Sequence, residues 1–238
     1  MASKPDKPLR LDRYIANVTD LTRKEARQVI KAGAVTVAGV LCQAPASHVL
    51  PTAEVALDGQ PLRPPLPRYF MLHKPVGFVC VNKDRRHPSV LDLLDEDNLD
   101  GLHPAGRLDL DTTGLVFITD DGPWAHRVTS PNTGCDKTYR VRTALPIEPG
   151  CVERFARGLM LPGDTKRLQP AHLELLAPRQ ARLTIREGRY HQVKRMFQMM
   201  GNEVVDLHRE SVGAIALDPN LSPGEYRNLT DDEVASFA

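Results

Sequence analysis

The sequence predicts an α+β protein in two parts. The first is a small module of two short helices and short strands, and the second is a larger mixed, mainly antiparallel sheet with flanking helices. Three observations predict this. Apolar residues at helical spacing run from Leu11 to Ile30 and then give way to short alternating runs. Four prolines crowd the stretch Pro61-Leu62-Arg63-Pro64-Pro65-Leu66-Pro67, which favours extended polyproline chain and forbids a helix. Beyond it, strand-length β-branched and aromatic runs are interleaved with amphipathic helices. The expected boundaries are a flexible tail over 1–8, a first domain over 9–60, a linker over 61–67 and a second domain over 68–238.

In the first domain, Leu11, Tyr14, Ile15 and Val18 share one helix face. Thr22 and Glu25 form a capping box opening a second helix that buries Ala26, Val29 and Ile30. Its other faces carry Arg23, Lys24, Arg27 and Lys31, and Gly33 suits the position after its C-terminus. Val35 and Val37 alternate as a strand, Ala38-Gly39 turns, Val40-Leu41 resumes, and Val55 and Leu57 make another strand before Asp58-Gly59.

In the second domain, Tyr69 to Leu72 begins a strand broken by His73-Lys74-Pro75-Val76-Gly77 and resumed by Phe78 to Val81. Residues 82–88 read as a mobile basic loop, and Val90 to Leu94 as a short helix. Leu115 to Thr119 is a buried strand stopped by Asp121-Gly122, and Trp124, Ala125 and Val128 start a helix. Lys137 to Val141 alternates as a strand, Val152, Phe155, Ala156 and Leu159 form a helix face, and Ala181 to Ile185 alternates again. The next helix buries Val193, Met196, Phe197 and Met200 and presents His191, Lys194, Arg195 and Gln198. Strands over Val204 to Glu210 and Ala214 to Leu217 follow, and Thr230 caps a last short helix.

Composition bounds the function. A chain of 238 residues with 41% hydrophobic content is an ordinary globular protein. No apolar run approaches the ~20 residues of a membrane span, and Met1 to Pro8 has no apolar segment of a secretory signal. Cys42, Cys80, Cys135 and Cys151 lack metal-ligand spacing and read as reduced thiols of a cytoplasmic protein. The net charge of +1 hides segregation: residues 1–68 hold ten Lys/Arg against six Asp/Glu, whereas residues 92–121 hold nine Asp/Glu and only Arg107 as a base. Such asymmetry suits a basic face for a polyanion. Gly158 to Gly163 imitates the start of a phosphate loop, but Asp164-Thr165 replaces Lys-Ser/Thr, and no GxGxxG is present, so no nucleotide cofactor is expected.

The chemistry concentrates in Gly106-Arg107-Leu108-Asp109-Leu110-Asp111-Thr112-Thr113-Gly114-Leu115. A polar turn carrying a carboxylate and a guanidinium runs straight into a buried strand, and rigidly supported loops are where reactive groups tend to sit. An aspartate in a turn also commonly caps its own backbone. Asp109, Asp111, Gly114 and Asp120 fall at calcium-loop positions 1, 3, 6 and 12, but Thr113, the Asp at position 12 and the flanking strand argue against a calcium site.

Gly106-Arg107-Leu108-Asp109 followed by Thr112-Thr113-Gly114-Leu115 resembles the catalytic motif of the RNA pseudouridine synthases. Lys74-Pro75-Val76-Gly77, Lys137-Thr138-Tyr139 and Gly188-Arg189-Tyr190-His191-Gln192-Val193-Lys194-Arg195-Met196-Phe197 extend the likeness, which is closest to the RsuA-type branch. Arg10-Leu11-Asp12-Arg13-Tyr14-Ile15, Thr22-Arg23 and Gly33 to Val37 resemble the S4 RNA-binding domain. The resemblance implies that Asp109 is the nucleophile, Tyr139 stacks on a flipped-out base, and Lys194 pairs with Asp109. Many family members carry Arg where Lys194 stands, and a lysine keeps the charge without the bidentate fork. By the same likeness Arg107 reaches into the space the base leaves. Arg10, Arg13, Arg23, Lys24, Arg27, Lys31, Lys74, Arg189, His191 and Arg195 are expected to contact RNA. Isomerising uridine transfers no electrons and loses no group, so neither cofactor nor metal is expected. The implied substrate is uridine 516 of 16S ribosomal RNA, with the protein acting as a monomer on free rRNA or a partly assembled small subunit. The same chemistry on 23S rRNA, and a non-catalytic rRNA-binding protein, are the alternatives. Asp109 has two routes open to it: attack on the sugar, or the start of a glycal pathway.

Overall fold

A computed structural model describes residues 8–50, 53–62, 66–130 and 133–237. The tail expected over 1–8 lies, except for Pro8, outside the described residues. The chain divides into two compact units, Met1–Leu66 and Pro67–Ala238.

The first unit opens with β1 (Leu9–Arg10) and α1 (Leu11–Val18). α2 (Arg23–Lys31) starts at the capping box read from sequence. Thr22 accepts from the Glu25 amide, and the Glu25 carboxylate accepts from the Thr22 amide at 2.8 Å. Five short strands follow: β2 (Val35–Val37), β3 (Val40–Leu41), β4 (His48–Val49), β5 (Val55–Leu57) and β6 (Gln60–Leu62). β3-β2-β5-β6 form an antiparallel sheet, and β1 pairs with β4. Leu11, Tyr14, Ile15, Ala26, Ile30 and Val35 are fully buried between helices and sheet. Pro61 and Leu62 were expected in the linker but belong to β6. Proline is tolerated there because β6 is an edge strand, where a missing N–H costs no ladder bond. Residues 63–65 of the expected linker lie outside the described residues.

The second unit is built on a nine-stranded sheet. Its strands are β7 (Tyr69–Lys74), β8 (His103–Ala105), β9 (Thr113–Thr119), β10 (Lys137–Thr143), β11 (His172–Ala177), β12 (Gln180–Ile185), β13 (Val204–Val212), β14 (Ile215–Ala216) and β15 (Tyr226–Asn228). The helices are α3 (Gly122–Thr129), α4 (Gly150–Ala156), α5 (Gln192–Met199) and α6 (Asp231–Ala235). The order is β11-β12-β10-β13-β9-β7-β15, with β14 on β13 and β8 on β9. Every pairing is antiparallel except β9 with β13, so the sheet is mixed and mainly antiparallel, as read from sequence.

Both faces of the sheet are covered. Along β9, Val116 and Ile118 point into a core shared with Phe155 of α4 and Phe197 of α5, while Leu115 and Phe117 point into a second core around Trp124 of α3. A strand buried on both faces reads as a continuous apolar run, which is why no alternation was visible there. One expectation needs correction. Phe78 to Val81 is not a strand: only an isolated bridge, Val79 with Ser89, forms. The short helix expected at Val90 to Leu94 is a 3-10 helix over Val90–Leu93, capped by Ser89 and Asp92. Among the described residues no helix is long and apolar enough to cross a membrane.

Candidate active site

The loop 106–112 enters β9 at the one parallel seam of the sheet among the described residues. That seam is two residue pairs long, His208 with Thr113 and Arg209 with Gly114. Gly114 has φ +108°, and a Cβ there would overlap the backbone of Arg209, so only glycine lets the strands meet. The loop's backbone is then fixed by two buried cations. The Lys74 ammonium donates to the carbonyls of Thr112 at 2.7 Å, Pro75 at 2.9 Å and Leu110 at 3.4 Å. Arg209 donates from Nε to the Leu115 carbonyl at 2.8 Å and from Nη1 to the Arg107 carbonyl at 3.4 Å. The Leu108 amide points at the buried Cys80 sulfur, and the Asp109 carbonyl closes a turn with the Thr112 amide at 3.1 Å. Burial lowers the pKa of Lys74 and raises that of Cys80.

This scaffold holds the Asp109 side chain at the wall of a cavity of about 450 Å³. The cavity is also lined by Arg107, Tyr139, Arg189, Tyr190, His191 and Lys194. Asp109 Oδ2 lies 3.6 Å from Lys194 Nζ, and Oδ1 lies 3.7 Å from His191 Nε2. Among the described residues its carboxylate accepts no hydrogen bond, so its lone pairs face two positive or polarisable groups without being committed to either. Lys194 does commit: its shortest partner is Asp111, at 2.6 Å. Burial pushes Asp111 up, but the Lys194 hydrogen bond and charge prevail and hold it below the usual carboxylate range. The floor is Tyr139 of β10, 7% exposed, flanked by Leu207 and Ile185. A concave site with an apolar aromatic floor and a carboxylate at its edge suits a planar heterocycle attached to a sugar.

Comparison with known proteins decides the family. Residues 68–199 match the RNA pseudouridylate synthase family and residues 9–55 match the S4 domain. The ribosomal small subunit pseudouridine synthase A of Escherichia coli strain K12 is 52% identical over 229 residues, covering 96% of this chain and 99% of its own length. The protein of the same name from Vibrio cholerae is 50% identical over the same span, again covering 96% of this chain and 99% of its own length. A crystal structure of a pseudouridylate synthase superposes with a TM-score of 0.71 at 44% identity, over 97% of this chain and all of that one. The chain belongs to the RNA pseudouridine synthase family.

The synthase gathers some of the residues singled out in its sequence and disperses others. Asp109, Tyr139, Lys194, Arg107, Arg189 and His191 line one cavity. Lys74, read as an RNA-contacting cation, is instead fully buried and ties the Asp109 loop. On a strand buried on both faces its ammonium is satisfied by three carbonyls and reaches no solvent. Arg195 is turned away from the cavity, onto Asp164 at 2.5 Å and the Pro162 carbonyl at 2.8 Å. Arg189 shares Asp164, at 2.7 Å, and also binds Glu187 at 3.1 Å. So Asp164, the residue that spoils the phosphate-loop likeness, is the anchor of two arginines, which hold its carboxyl below the usual range. In the first unit, Arg10, Arg23 and Arg27 converge on Asp12, while Arg13, Lys24 and Lys31 are exposed. All four cysteines are free.

Sequence reasoning missed Asp111 as the close partner of Lys194, and Arg209 as a buried brace. A signal existed for each. Asp111 stands two residues from Asp109 in the quoted motif, and Arg209 is a lone cation inside a strand, a pattern that demands a buried acceptor.

Proposed function

We propose that this synthase isomerises one uridine of small-subunit ribosomal RNA to pseudouridine, and that the target is uridine 516 of 16S rRNA. The N1–C1′ bond of the target breaks, the uracil turns over, C5 bonds to C1′, and the C5 proton is lost as N1 gains one. Atoms and electrons balance with no partner reagent. Asp109 serves as the nucleophilic carboxylate, as in other glycosyl chemistry. The observation that carries this role is its unbonded carboxylate at the cavity wall, 3.6 Å from an ammonium. Lys194 places a positive charge beside that carboxylate and orients it. Tyr139 stacks on the uracil after it leaves the helix, and Arg107 occupies the space the base vacates. The exposed cations of the S4 domain contact phosphates. The synthase works as a monomer in the cytoplasm, on rRNA or a partly assembled subunit, with the first domain running through β6 and the second starting near residue 68.

Chemical mapping of pseudouridines in 16S and 23S rRNA tests this reading. Cells lacking the gene are compared with cells rescued by wild type or by Asp109→Ala. A single lost 16S site, restored by wild type alone, is the expected result. A lost 23S site keeps the chemistry and removes the substrate. Rescue by Asp109→Ala removes the nucleophile.

A further inference from the structure

Among the described phenylalanine, tyrosine and tryptophan residues, Tyr190 is the one whose side chain is exposed, at 76%. It stands at the cavity rather than at a random surface point, since it lines the same space as Asp109. Its ring lies flat on the imidazole of His191, with centroids 3.8 Å apart and planes 16° apart. His191 in turn sits in the left-handed region at φ 48°, a strained conformation for a non-glycine residue that persists only where the surroundings enforce it. They do so here. The Gln192 amide donates to the Arg189 carbonyl at 3.1 Å, the Arg189 amide donates to Gln192 Oε1 at 2.9 Å, and the Arg195 amide donates to the His191 carbonyl at 2.9 Å. Below them the nearly buried Glu187 takes the Gln169 amide at 2.7 Å and Arg189 Nε at 3.1 Å. The strained turn therefore presents two parallel rings as a rigid shelf, one ring beside the reactive carboxylate and the other open to solvent.

We propose that Tyr190, backed by His191, is a stacking platform for a nucleobase adjacent to the target uridine in the RNA. The inference rests on the function proposed above and adds a second subsite to it. A cavity of about 450 Å³ with one aromatic floor holds the isomerised nucleotide, and the neighbouring base, continuous with it along the strand, meets the Tyr190 face at the mouth. Stacking on an aromatic side chain is the usual way a protein holds an unpaired base. It works through the ring rather than the hydroxyl, and it acts on binding rather than on the reacting bond.

A coupling cycle tests the platform. A 16S rRNA fragment containing uridine 516, and versions abasic at the nucleotide on either side, are titrated against wild type, Tyr190→Ala, Tyr190→Phe and Tyr190→Trp, with affinity and single-turnover rate both measured. Tyr190→Ala is expected to weaken binding by about tenfold, with the rate at saturating enzyme within about twofold of wild type. Tyr190→Phe should bind like wild type, and Tyr190→Trp should lose fluorescence on RNA addition. One abasic position should weaken wild type as much as Tyr190→Ala does and have no further effect on that variant. Independent, additive losses, or Tyr190→Ala binding as wild type does, overturn the platform. A rate that falls while affinity holds also overturns it, by placing Tyr190 against the reacting base. Coupling without any pseudouridine formed would keep the platform and sink the proposed reaction, whereas pseudouridine formed without coupling would do the reverse.

Discussion

Asp12 and Asp109 are two aspartates that each face positive side chains, and the difference between them separates a carboxylate saturated with hydrogen bonds from one that accepts none among the described residues. Asp12 is fully buried and accepts from Arg10 at 3.0 and 3.1 Å, Arg27 at 2.8 Å and Arg23 at 3.4 Å. Every lone pair is used, and the Arg10 hydrogen bond, with those of Arg27 and Arg23, overcomes burial to hold its carboxyl far below the usual range. Asp109 is one-third exposed and meets its cations only at 3.6 and 3.7 Å. Three guanidinium partners lock a carboxylate; one ammonium at 3.6 Å, itself engaged by Asp111, leaves it without a hydrogen bond. The three arginines remain about half exposed, so Asp12 fixes their geometry without burying them.

The sharpest way to break the comparison is to neutralise each carboxylate in turn. Asp109→Asn should lower pseudouridine formation in a 16S transcript by about 10⁴-fold or more while leaving RNA affinity and the melting temperature where they are. If it melts several degrees lower, Asp109 is structural after all. Asp12→Ala should do the opposite, with a stability loss of about 3 kcal/mol, the low end for a broken buried pair because the guanidiniums stay partly hydrated. Hydrogen exchange of the α1 and α2 amides reads this directly, and unchanged protection there would show Asp12 to be dispensable. Lys194→Gln should cost about 10²-fold in single-turnover rate, with Lys194→Arg recovering most of it; equal loss in both would mean that position matters and charge does not. The smallest effect is in acid. Because the folded pKa of Asp12 is depressed below the unfolded ~3.9, its contribution is present above that pH and lost as pH falls through it. Urea midpoints measured from pH ~5 to ~3 should therefore fall more steeply in wild type than in Asp12→Ala, and parallel curves would remove Asp12 as the cause.

What the sequence made legible was whatever is encoded locally. The Thr22–Glu25 box, the Thr230 cap, the amphipathic face of α5 and the glycine after α2 are each written within a few residues, and each forms. The mixed sheet was legible too, because strand-length runs separated by turns constrain topology. Partnerships across long stretches of chain were not. Nothing near Lys74 announces that its acceptors are carbonyls at 110 and 112, so a basic residue beside a turn read as a surface contact. Lys194 read as the partner of Asp109 because both sit in strong motifs, yet its ammonium lies 1 Å closer to Asp111, 2.6 against 3.6 Å. Side-chain reach over such distances is decided by packing, and packing has no one-dimensional signature.

The parallel seam between β9 and β13 has a consequence for the life history of the chain. Two residue pairs join positions 113–114 to positions 208–209, whereas a hairpin such as β11 with β12 can zip up from local contacts without them. Long-range pairings of this kind close late, because the entropy of the intervening loop must be met before any contact rewards it. Asp109 therefore leaves the ribosome as an ordinary loop residue and stays one until some hundred further residues have followed. Only when Lys194 and Arg209 have been synthesised, and the seam has shut, do the carboxylate, its ammonium and the aromatic floor exist as one cavity. A nascent chain carrying only the first of these motifs holds no catalyst: an enzyme for RNA that is itself being made beside RNA is silent until it is nearly whole.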